Sequence, residues 1–289
     1  MALLVLVSFV WAFSFGLIKG RLAGVDPTAV ATLRLALALL VFVPFMRPRA
    51  VARPLQLRLA AIGAIQFGLM YVLYLRSFAH LEAFEVALFT ITTPLFVALL
   101  DAAVEKQFVL RHAVAAALAV AGAAVVLWQR VASDNAITGI VLVQISNLCF
   151  AAGQIAWRRV RARAPASIPS GNLFGFVYAG AFAVSLVWSL VATDWSSVRL
   201  TAPQMATVVY LGILASGLCF FWWNLGATQV NAGALAVFNN VKIPLAIACS
   251  LLFFGEHANL PRLLAGGALM AVGVWASEWR SDQRRADTP

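Results

Sequence analysis

Charge is what this sequence has least of. Only 11% of its 289 residues are charged and 63% are hydrophobic, whereas a soluble domain carries roughly a quarter charged and about half apolar residues. A water-soluble core of this length has no use for so much apolar surface, and the mean hydropathy of +0.91 points to a bilayer. Acidic residues are scarcest, 11 against 21 Lys and Arg, yet the net charge of +10 is not gathered on a basic helix or an aromatic-interleaved sheet. Nucleic acid is therefore not expected as a partner; membrane lipid is. Cysteine is sparse too. Cys149, Cys219 and Cys249 fall inside apolar stretches without a C-x-x-C pair, so neither a metal site nor a disulfide is expected. There is no H-E-x-x-H, no G-x-S-x-G, no close Asp pair in the apolar spans and no Walker A motif. An enzyme and a cofactor are not expected, and ATP-driven transport would need a partner chain.

What is present is apolar length. Stretches of about 18 to 22 residues recur, each enough to cross ~30 Å of hydrocarbon. They lie near 2–20, 28–46, 58–76, 84–102, 112–129, 138–157, 172–192, 204–224, 233–254 and 261–279. The first begins at Met1 without a basic n-region and continues into Lys19 and Arg21 without a cleavage pattern, so it is expected to stay as the first helix. An even number of spans puts both termini on one side. That side holds 13 basic residues, in the loops around Arg47–Arg58, Lys106–Arg111 and Arg158–Arg163 and in the tail from Arg280, against six on the other. The positive-inside rule then places both termini in the cytoplasm. Lys19 and Arg21, after the first span, run locally against that assignment.

The two halves echo each other. Gly63 and Gly68 match Gly212 and Gly217, Pro94 matches Pro244, and Phe13 and Gly16 match Phe150 and Gly153. Glu105 stands 17 residues before Gly122, and Glu256 stands 17 before Gly273. Any one glycine also fits a simple close-packing contact; the recurrence is what argues a repeat. The expected fold class is an all-α membrane protein of ten transmembrane helices, arranged as two inverted five-helix repeats at 1–130 and 138–279, with a cytoplasmic tail at 280–289. Inverted repeats place a binding site near the midplane at their interface and imply alternating access.

Lys242 is the sharpest candidate for that site. It lies about nine residues, roughly 13 Å, into its span, where an ionisable group needs a cavity or a counter-ion. It also precedes Pro244, which loosens the helix and frees a carbonyl. Two roles fit it: an ammonium awaiting a substrate carboxylate, or a structural pair with a carboxylate such as Glu85. Asn239, one turn earlier, shares its face. Gln144, Asn147 and Gln154 form an amide stripe on span six, with Asn147 nearest mid-span. Such amides either glue helices together or bond a ligand. Aromatic pairs at helical spacing, Trp11 with Phe15, Tyr71 with Tyr74 and Phe220 with Trp223, offer flat apolar faces, and Asn224 adds a polar neighbour. Arg34, Arg76 and Glu85 make a further group. Either an Arg34–Glu85 or Arg76–Glu85 ion pair is structural, or a protonatable Glu85 couples transport to protons.

The repeat ends, EKQF followed by AVAGAAVVLW and GEHANL followed by AVGVWA, carry a glutamate-then-glycine pattern. By it the chain resembles the drug/metabolite transporter superfamily with two EamA-type repeats, over essentially its whole length. WAFSF, QFGLMY, LVQISN, WNLGATQVNAG and the Asn239-Asn240 pair resemble, more narrowly, the bacterial biotin transporters of that superfamily. The resemblance implies ten helices, a central cavity and a secondary carrier of a small carboxylate-bearing metabolite. Biotin uptake fits best, and export of amino acids or related metabolites is the alternative. An intramembrane enzyme or a non-transporting scaffold has less in its favour. Monomer and homodimer are both compatible with the sequence.

Overall fold

Proline and short polar caps start the helices. Pro27, Pro54 and Pro203 sit in first turns, where a missing N–H breaks no intrahelical bond. Asp26 accepts the Ala29 N–H at 2.7 Å, and Thr201 and Gln204 close a reciprocal capping box. A computed structural model describes residues 2–104, 110–127, 134–226, 228–229 and 232–278, and among these all regular structure is helical. Glu105, Lys106, Arg130 and the tail from Arg280 lie outside the described residues.

The helices are α1 (Ala2–Arg21), α2 (Pro27–Phe42), α3 (Arg53–Ser77) and α4 (Ala83–Phe89 and Thr93–Val104, joined by a 3₁₀ turn). They continue as α5 (Leu110–Leu127), α6 (Asp134–Arg163), α7 (Ser170–Ala192), α8 (Ala202–Gly226), α9 (Ala232–Phe253) and α10 (Leu260–Glu278). Six of them, α1, α2, α3, α6, α7 and α8, are long and apolar enough to cross a membrane; the described apolar stretches of α4, α5, α9 and α10 are shorter.

The packing has an exchange property. Helix α1 packs on α9 as α6 packs on α4; α2 packs on α8 as α7 packs on α3; α3 packs on α6 as α8 packs on α1. The α2–α7 and α5–α10 contacts map onto themselves. Helices α3 and α8 both widen into π turns, at Ala64–Leu69 and Tyr210–Leu218, beside the matching glycines. Glycine is required where backbones touch. A Cβ on Gly63 would overlap Val177 O and one on Gly180 would overlap Ala60 O, so α3 and α7 meet backbone to backbone. Across α5 and α10, a Cβ on either Gly122 or Gly266 would fall 2.5 Å from the other's carbonyl oxygen.

Two features order the bundle's interior. After α9, Gly255 at φ +66° turns the chain, and the Glu256 carboxylate accepts the Ala83 and Phe84 N–H groups at 2.8 and 3.1 Å, as well as the Ser250 hydroxyl. Glu256 thus anchors the start of α4 from the other half, an anion at a helix N-terminus. Deeper in, rings form a continuous layer. Phe67 stacks on Tyr178 at 5.5 Å and meets Phe220 at 4.8 Å, while Phe174 meets Phe221 at 5.4 Å and Trp157 at 5.0 Å.

Candidate functional site

The π turn of α8 organises one wall of the site. A π turn breaks the i to i+4 ladder, so carbonyls along it become available to other helices. Trp11 Nε1 donates to Ala215 O at 2.9 Å, and the Tyr178 hydroxyl donates to Ser216 O and, at 3.1 Å, to Gly217 O. The Ser216 side chain lies 2.9 Å from Tyr71 Oη. Arg34 closes this group, donating from Nη2 to Tyr71 Oη at 2.9 Å and from Nε to Ser216 Oγ at 3.2 Å. Its guanidinium carbon stands 4.4 Å from the Tyr71 ring centroid, and its buried Nη1 has no partner among the described residues.

Proline organises the opposite wall. Pro94 has no N–H to offer Thr90 O, and the Thr93 hydroxyl donates there instead at 2.8 Å. The 3₁₀ turn at Thr90–Thr92 also exposes Phe89 O, which accepts Asn147 Nδ2 at 2.9 Å. Asn147 Nδ2 also reaches Thr92 Oγ1 at 3.1 Å, and Thr92 donates to Gln144 Oε1 at 2.6 Å. The donor end of Asn147 is thereby committed to the helix break, while its Oδ1 accepts from no described residue. Lys242, two residues before Pro244 and 8% exposed, holds its ammonium 5.0 Å from the Trp11 ring centroid.

Between the walls lies about 580 Å³ of empty space, counted out to where it opens to solvent. Trp11, Ser14 and Phe15 line it from α1, Met70, Tyr71 and Tyr74 from α3, and Ser146, Asn147 and Phe150 from α6. Arg34, Thr90, Thr93, Phe220 and Lys242 complete it. Two cations and no carboxylate are among these residues. In a poorly solvated cleft that imbalance attracts an anion, and the rings offer it apolar faces.

Of the residues singled out from sequence, Trp11, Phe15, Arg34, Tyr71, Tyr74, Asn147, Phe220 and Lys242 come together here. Trp223 does not line the space. It is buried behind Trp11, with ring centroids 5.2 Å apart. Asn224 donates to Phe220 O at 2.9 Å and borders a different cavity. The backbone of Asn239 belongs to α9, but its side chain lies outside the described residues. The expected ion pairs of Glu85 with Arg34 or Arg76 do not form. Arg34 turns to the acceptors around the π turn, Arg76 lies over the Trp188 ring at 5.6 Å, and Glu85 Oε2 accepts the Glu82 N–H at 2.8 Å at the start of α4. Ser14, Met70, Thr90, Thr93, Ser146 and Phe150 were not anticipated at the site. For Thr90 and Thr93 the signal was present, since hydroxyls one turn apart beside Pro94 are what a broken helix needs.

Comparison with known proteins agrees with this architecture. The EamA-like transporter family matches residues 1–128 and again 137–277. The probable biotin transporter of Pseudomonas aeruginosa is 38% identical over 99% of this chain and 100% of its own. The biotin transporter of Salmonella typhimurium is 36% identical and that of Escherichia coli 34%, each over 99% of this chain and 98% of its own. A crystal structure of a protein 19% identical to the chain superimposes with a TM-score of 0.64 over 99% of both, which shows a shared fold. With apolar helices suited to a multi-pass membrane protein and two family repeats that span nearly its whole length, this chain belongs to the EamA-like transporter family.

Proposed function

We propose that the protein is a secondary carrier that takes up biotin across the inner membrane by alternating access. The observation that carries this reading is the presence of Lys242 and Arg34 in one cavity whose other described lining residues are aromatic, hydroxyl and amide side chains with Met70, and include no carboxylate. Biotin has the complementary chemistry. Its carboxylate suits the ammonium and the buried Nη1 of Arg34, its ureido N–H groups suit an acceptor such as Asn147 Oδ1, and its fused ring suits Trp11, Phe15 and Phe220. The names of the relatives point the same way.

The architecture in this reading is ten spans in two inverted five-helix repeats, with both termini cytoplasmic. The exchange property of the helix contacts and the matched π turns support it. So does Lys19, whose charge runs against the positive-inside count. Its ammonium donates to Phe78 O and Leu81 O, both at 3.0 Å, and lies 3.5 Å from Glu82, so it serves the end of the bundle rather than lipid. Alternating access then follows from rocking one half against the other about the cavity.

Uptake of labelled biotin by biotin-auxotrophic cells expressing the chain tests the proposal, with a proton uncoupler as control. Saturable uptake above vector, with its half-saturating concentration raised about tenfold or more by Lys242→Met, is the expected result. Uptake no higher than vector, together with new resistance to toxic amino acids, would replace import by export on the same fold.

A further inference from the structure

A second empty space lies across the aromatic layer from the first. It measures about 490 Å³ out to its mouth and is bounded by Trp157 and Arg161 at the end of α6, Ser170 at the start of α7, and Phe221, Asn224 and Thr228 at the end of α8. Phe220 lines the central cavity and its neighbour Phe221 lines this one, and both rings pack on the layer of Phe67 and Phe174.

The buried polar groups of this second cavity lack partners. Asn224 is 0% exposed, and its Oδ1 accepts from no described residue. Trp157 is 2% exposed, and its Nε1–H donates to none. Arg161 is pinned by a 3.1 Å hydrogen bond from Nε to Ser170 Oγ, which leaves Nη1 and Nη2 without a described partner. Gln66 and Trp223, in the neighbouring stretches of α3 and α8, also carry buried unpartnered atoms. Native interiors rarely leave such groups unmet, so a cluster of them marks a place fitted to water or to a polar ligand.

We propose that this cavity is a second binding station for the carried anion, reached when the aromatic layer parts. The guanidinium of Arg161 and the indole N–H of Trp157 take a carboxylate, and Asn224 Oδ1 takes an amide or ureido N–H of the same ligand. The proposal rests on the carrier reading above and adds to it a site on the far side of the rings.

The test is a binding measurement that does not depend on transport. With Cys149, Cys219 and Cys249 replaced by alanine, Thr228→Cys sets a single thiol at the exposed mouth. Its alkylation by a charged maleimide is timed on the purified full chain with increasing biotin, and with N-acetylphenylalanine as a second amide-bearing carboxylate. Saturable slowing by at least one of the two is expected. Arg161→Gln and Trp157→Phe should each raise the half-protecting concentration about tenfold or more, the scale of one charge-assisted hydrogen bond, and Lys242→Met should leave it unchanged. Trp157→Phe keeps an aromatic ring against Phe174 while removing the donor, and a melting curve on the same protein separates binding from folding. Absence of protection by either ligand, protection indifferent to both Arg161→Gln and Trp157→Phe, or protection abolished by Lys242→Met overturns the proposal. Protection without any cellular biotin uptake would instead sink the import reading and leave this station standing.

Discussion

Lys242→Met tests the charge at the centre of the site while keeping a side chain of similar length. Lys242 is 8% exposed and its ammonium stands 5.0 Å from the Trp11 ring centroid, so a carboxylate that meets it does so with little water between them. A charge-assisted hydrogen bond under those conditions is worth about 1.5–3 kcal/mol, which converts to a rise in the biotin Kd of roughly 10- to 150-fold. Arg34 lines the same space and remains in the variant, so binding falls but does not vanish. The contrast ligand is the neutral amide of biotin. Its weak binding should change by less than about twofold, and the four measurements form a cycle that isolates the charge pair. Equilibrium binding of labelled ligands to purified protein is the assay. Expression should not suffer, because a buried ammonium in a bilayer carries a desolvation cost that methionine removes. Lys242→Arg keeps the charge with different reach and should fall between the two. If biotin and its amide weaken equally, or if Lys242→Met binds biotin like the parent, Lys242 is a structural cation seated over Trp11 and the anion-site argument fails.

Gly63→Ala should lower the melting temperature in detergent by the equivalent of about 1–3 kcal/mol, because the new methyl overlaps Val177 O; Gly171→Ala, whose Cβ meets nothing closer than 3.9 Å, is the neutral control. Glu256→Gln should cost about 0.5–2 kcal/mol of the same stability through the weakened anchor at Ala83 and Phe84, and an unchanged melting curve would remove that role. Alkaline phosphatase fused after Thr288 should stay inactive in cells; activity there would place the C-terminus in the periplasm and contradict the proposed orientation.

The parts of this protein that sequence made legible are those fixed by period and by residue type. Apolar length located the helices, and Pro94, Pro244 and the paired glycines exposed the repeat because backbone geometry permits few substitutes at such places. At the site, Lys242 and the amide and aromatic faces were readable because polar groups in hydrocarbon must face something. Sequence offers Arg34 as one of two partners for Glu85, and Arg34 turns elsewhere for a reason no sequence shows. The π turn at Tyr210–Leu218 brings Ser216 to Arg34 beside Tyr71, and a π turn depends on tertiary packing rather than on the residues within it. In the regular α turns that follow, Cys219–Gly226, Phe220 lines the cavity, Trp223 lies behind Trp11 and Asn224 borders the second cavity. Spacing by i and i+3 places residues on one face of one helix; it does not say which of two cavities that face meets.

The joint between α3 and α7, where Gly63 and Gly180 bring main chain against main chain, has a mechanical consequence. Most helix interfaces yield to movement because side chains hop between rotamers and refill the gap. Where main chain meets main chain, at Gly63 and Gly180, there is no such lubricant, so the two helices travel together there. Bending that cannot occur at that joint is passed to the place where the α3 hydrogen-bond ladder is already loosened, the wide turn at Ala64–Leu69 that carries Gln66 and Phe67 at its centre. Phe67 belongs to the ring layer between the two cavities, so a flexure there swings the partition itself.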